Sequence, residues 1–88
     1  MPTRKKTVEL AGDAWTVYAG KRDNAAKDYG HCVVDDRVIV IFNRSYREGS
    51  ERETLLHECL HALFPWMEED YITKAAEDLD NALDALGM

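Results

Sequence analysis

The chain reads as an α+β domain: a small antiparallel or mixed sheet of about four strands, followed by two helices. Three observations predict this. Residues 1–49 alternate short β-branched and aromatic runs with turn signals. Residues 50–88 carry two apolar patterns of helical period. Pro65 divides those two patterns, and the residue before a proline is biased away from helix.

The elements follow in order. Thr7-Val8-Glu9-Leu10 alternates polar and apolar, Ala11-Gly12-Asp13 signals a turn, and Ala14-Trp15-Thr16-Val17-Tyr18 is rich in aromatic and β-branched residues. Together they form a first hairpin. Gly20 to Gly30 is polar and basic at first, a loop or a short helical turn. His31–Val34 and Arg37–Asn43 form a second hairpin, joined through Asp35-Asp36. Val38-Ile39-Val40-Ile41-Phe42 is continuously apolar, which fits a strand covered on both faces, so this strand is central or partly covered. Ser50 with Glu53 three residues on is a capping box, opening a helix from about Glu51 to Phe64. Glu68, Glu69 and Asp70 crowd the start of the second helix, where the macrodipole favours negative charge. Ile72, Ala75, Ala76, Leu79, Ala82, Leu83 and Leu86 then recur at helical spacing, and Gly87 ends the run. The helices should pack on one face of the sheet.

With 88 residues the chain is one domain, 1–88, with a modest core. It is 45% hydrophobic and 32% charged, as soluble globular chains are. Eleven basic residues against 17 acidic ones give a net charge of −6. That argues against a nucleic-acid partner and against an anionic membrane, since both need a basic footprint. Cys32 and Cys59 allow one disulfide at most, and each sits in an apolar run where a free thiol is usual. Basic Met1–Lys6 is followed by no apolar stretch of the kind a secretory signal needs. The expected setting is cytoplasmic and reducing.

His57-Glu58-Cys59-Leu60-His61 is the sharpest feature, a match to H-E-x-x-H. From this chain's residue frequencies a chance match is roughly a one-in-a-hundred event. It also falls in the middle of the best-signalled helix. Residues i and i+4 differ by about 40° around a helix and ~6 Å along it. Both imidazoles therefore leave one face and can converge on a tetrahedral ion such as zinc. Glu58, about 100° round from His57, flanks that ion and can accept a proton from its bound water. Leu56, Cys59 and Leu63 make one apolar stripe on this helix, and Leu55 and Ala62 another. So apolar a helix should lie between the sheet and the last helix. The bland alternative is a pair of core histidines bonded to carbonyls, with Glu58 at the surface.

Zinc needs a third protein ligand. The only other histidine, His31, lies upstream, so a carboxylate must serve: Glu68, Glu69, Asp70 or Glu77. Glu69 is three before Ile72 and seven before Ala76, on the inward stripe. Glu68 shares that stripe less centrally. Asp70 is in phase with Thr73, Lys74 and Glu77, an exposed face. Phase selects Glu69, with Glu68 second. The competing reading is that all three acids only decorate the helix N-terminus. His31, Tyr46 and Tyr71 could stabilise an oxyanion, though a structural role is the simpler reading of each. Cys59 is ~160° round from His61 and reads as packing, as do Trp15 and Trp66.

Thr54-Leu55-Leu56-His57-Glu58-x-x-His61-Ala62, preceded by a strand hairpin and followed by a helix with an early acid pair, resembles the zincin metallopeptidases. The likeness is to the glutamate-ligated (gluzincin) branch, the small H-E-x-x-H proteins of phages and mobile elements, and the minimal core of ImmA/IrrE-like peptidases. It spans roughly residues 30 to 86, with about ten residues specific. It implies a minimal zincin-like domain and Zn2+ on His57, His61 and a second-helix glutamate, with Glu58 as general base. It implies peptide or protein substrates held along a sheet edge, either His31–Val34 or Arg37–Asn43. Only 27 residues follow the motif, enough for one helix and no lower subdomain. The expectation is a zinc-dependent metallopeptidase. The alternative is a zincin-like interaction module whose zinc is structural.

Overall fold

The computed structural model describes residues 4–21, 30–43 and 51–88. The fold is α+β, one mixed four-stranded sheet followed by two helices. Strands β1 (Arg4–Leu10) and β2 (Asp13–Lys21) form an antiparallel hairpin with Leu10 opposite Asp13. Ala11 and Gly12 both take positive φ, 53° and 86°. Two such residues make the turn whose twist matches that of the flanking strands.

Strands β3 (Gly30–Val33) and β4 (Val38–Asn43) form the second hairpin. Its loop is four residues, Val34–Arg37, rather than the Asp35-Asp36 pair alone. Arg37 N–H donates to Val34 O at 3.1 Å, and Arg37 is left-handed at φ 53°. The Arg37 carbonyl then accepts from Thr16 N–H of β2 at 3.0 Å, tying the turn to the next strand.

The sheet order is β1-β2-β4-β3. β2 and β4 run parallel, from Thr16 opposite Val38 to Lys21 opposite Asn43. β4 is therefore an interior strand, as its apolar run predicts, but it is not covered on both faces. Ile39 and Ile41 are buried beneath the first helix, whereas Val38, Val40 and Phe42 on the other face are half-buried. Trp15, Val17 and Ala19 of β2 complete the core beside Ile39 and Ile41.

Helix α1 (Glu51–Leu63) crosses the inner face against β1, β3 and β4. Leu55, Cys59 and Ala62 pack on the core, a different grouping from the two stripes expected. Its two buried side chains are polar, Thr54 and Glu58. They lie against the start of β3. A Cβ on Gly30 would meet Val40 O at 2.7 Å, Thr54 Cγ2 at 3.0 Å and Glu58 Cγ at 3.4 Å, so glycine permits this close approach. Arg4 of β1 pairs with Glu51 in the first turn of α1.

Among the described residues, helix α2 (Glu69–Ala85) packs on α1 alone and forms a third layer, not a second helix on the sheet. Ile72 and Ala76 are fully enclosed, while Leu79, Ala82 and Leu86 are exposed. A helix with one neighbour buries one row of its apolar residues. Leu86 caps its end: Gly87 N–H reaches Asp84 O and Met88 N–H reaches Leu83 O, a Schellman pair. The capping serine at 50, Tyr46 and the loops over 22–29 and 44–50 lie outside the described residues. Among the described residues, no helix is long and apolar enough to cross a membrane.

Candidate metal centre

The His57 and His61 side chains, one helical turn apart, leave α1 from one flank. Their rings stand edge to face, 4.9 Å between centroids. Their Nε2 atoms are 3.2 Å apart. Two ligands at ~2.0–2.1 Å from a tetrahedral ion would be about 3.4 Å apart.

Glu69, the first residue of α2, closes the group. Its Oε1 is 2.7 Å from His57 Nε2 and its Oε2 is 2.8 Å from His61 Nε2. Three ligand atoms within 4.8 Å of one another come from two helices. The turn that brings them together starts at Pro65: Met67 N–H donates to Phe64 O at 3.0 Å, and Glu68 stands extended as the N-cap. Glu68 spends its carbonyl on Tyr71 N–H and Ile72 N–H. Asp70, Thr73, Lys74 and Glu77 form the exposed face that helical phase predicts.

The donor set could hold a metal ion. Two imidazole nitrogens face each other and one carboxylate. Either two ring protons fill the gap between them or a cation does. Two nitrogens and a carboxylate oxygen are what zinc accepts from a protein that leaves a fourth position open. The three side chains fit that role. The imidazoles are about one-quarter exposed and Glu69 is 61% exposed, so the group is reachable from solvent.

Glu58 is 7% exposed and turned toward the sheet, one residue from His57. It is not the surface glutamate of the bland alternative. Its charge is felt by two thiols. Burial, and secondly Glu58, pushes Cys32 up to about 11 from 9.0, with a smaller contribution from Cys59. Burial and Glu58 raise Cys59 in the same way. Both thiols are free and stay protonated at neutral pH, which suits packing rather than metal binding.

The other described candidates, His31 and Tyr71, are not brought to the group. His31 is exposed on β3 and its ring tilts against Phe42, 6.4 Å away. Tyr71 is exposed and, two residues after Glu69, lies about 160° from it around α2. What sequence reasoning missed is Thr54, buried beside Glu58 against Gly30. The i, i+4 spacing of Thr54 and Glu58 could have signalled it. No protein family, no curated protein and no solved structure matches the chain.

Proposed function

We propose that this protein is a zinc-dependent peptidase. The observation that carries the reading is the convergence of His57, His61 and Glu69 from two helices on one point. These three would hold the ion. Bound there, zinc would lower the pKa of a water toward ~7 and polarise a peptide carbonyl. Glu58, held by its burial one residue from His57, takes the proton of the attacking water on a carboxylate oxygen. It then delivers that proton to the departing amine. Of the two strands that could hold an extended peptide, β4 is interior and β3 is an edge. The β3 edge begins at Gly30, against Glu58. A peptide added there would run past the proposed base.

A second reading has its own support. Glu58 is 7% exposed, little for a group that must meet substrate. A zinc-binding interaction module without peptidase activity needs no accessible base, and its metal would contribute to folding.

Zinc content and cleavage of a peptide library distinguish them. For the peptidase, wild type retains zinc and cleaves, and Glu58→Gln retains zinc but loses about 10²–10⁴ in kcat. Zinc-replete wild type that cleaves nothing supports the module. Cleavage undiminished in Glu58→Gln sinks the proposed mechanism.

A further inference from the structure

Trp66 is 76% exposed, an unusual position for so large an aromatic side chain. It is not loosely held. Pro65 precedes it in a turn closed by Met67 N–H to Phe64 O, and its ring stands edge-on to Phe64 at 5.8 Å and 87°. Phe64 N–H still bonds Leu60 O at 2.8 Å, so helical geometry continues to Phe64. Phe64 is three residues past His61 and seven past His57, spacings that share one helix flank. An exposed aromatic pair therefore follows the motif, with Phe64 on the flank that carries both imidazoles and Trp66 packed against it.

We infer that Phe64 and Trp66 form a subsite for an apolar side chain of a peptide engaged at His57, His61 and Glu69. The inference rests on the peptidase or peptide-binding reading of that group and adds its preference. A fixed aromatic pair loses little freedom on binding, which favours it over flexible side chains as an anchor. Tryptophan is enriched among residues that dominate binding for the same reason. Burying one apolar side chain of a ligand is worth about tenfold or more in affinity.

The test uses full-length zinc-loaded protein, as wild type and as Glu58→Gln. The probes are Gly/Ser decapeptides with one central Phe, Leu, Ser or Glu. Calorimetry reports binding in every variant, the shift in tryptophan emission absent from Trp66→Ala reports contact at Trp66 rather than at buried Trp15, and mass spectrometry reports cleavage. The Phe and Leu peptides should bind about tenfold tighter than the Ser and Glu peptides and shift the emission. Trp66→Ala should reduce that preference to about twofold with zinc content unchanged, and Trp66→Phe should restore most of it. Equal affinities for all four peptides overturn the subsite, as does a preference that survives both Trp66→Ala and Phe64→Ala. A preference equally strong in zinc-free protein also overturns it, since the pair would then serve some other docking. Apolar preference without cleavage supports the subsite while refuting the hydrolase.

Discussion

Helix α1 meets α2 through two polar clusters about one and a half turns apart. At Arg52, donors meet acceptors. The guanidinium donates from Nε to Asp80 Oδ1 at 2.6 Å and from Nη2 to Asp80 O at 3.1 Å, and it also reaches Met88 O. Asp84 stands 3.7 Å off. Charge and hydrogen bonding close within the protein, as structural pairs require. At His57 and His61 the partners are two ring nitrogens 3.2 Å apart and the two oxygens of one exposed carboxylate, at 2.7 and 2.8 Å. Imidazoles that each donate Nε2–H to one oxygen satisfy this geometry, and the same three side chains could equally hold a cation. Arg52 has no such second use, since a guanidinium only donates.

The comparison yields predictions that descend in size. The largest separates the clusters by metal. With zinc in thousandfold excess over Kd, wild type should gain about 4 kcal/mol, more than 10 °C in Tm, and His57→Ala should gain nothing. Zinc-independent melting of wild type breaks the comparison at once. Next, Glu69→Gln should weaken zinc binding by about 100-fold or more, beyond the 10–100-fold typical of outer partners, while Glu68→Gln changes it little. An unchanged Glu69→Gln, measured by competition with a chromogenic chelator, would show that the phase argument chose the wrong acid. Arg52→Ala should cost about 2 kcal/mol by denaturant unfolding, equally with and without zinc. A zinc-dependent cost would couple the two clusters and blur the distinction. The smallest is Lys74→Ala. Its i, i+4 pair with Asp78 at 3.2 Å is exposed on both sides and should contribute no more than about 0.5 kcal/mol, fading in salt.

The sequence made the two hairpins, both helices and the Gly87 stop legible, because turn chemistry and periodicity are local. The parallel pairing of β2 with β4 was not legible, since no residue of either strand encodes the direction of its neighbour. Nor was the α1 face. Leu55, Cys59 and Ala62 point to the sheet together with Thr54 and Glu58, because Gly30 leaves room for two polar side chains where leucines seemed due. Glu69 was legible from its phase with Ile72 and Ala76, because helix geometry carries that far. His31 could not be placed, as its side of β3 depends on which face the helices cover.

Among the described residues helix α2 packs on α1 and on no strand, and its first residue is Glu69. Of the described elements, the one that completes the group is thus the one least tied to the rest. In hydrogen-exchange terms, α2 should open well below the global unfolding energy when metal-free. A bound ion would then act as a clasp. Loading and release would follow the opening of one helix, and the exchange rate of the α2 amides would register occupancy from a distance.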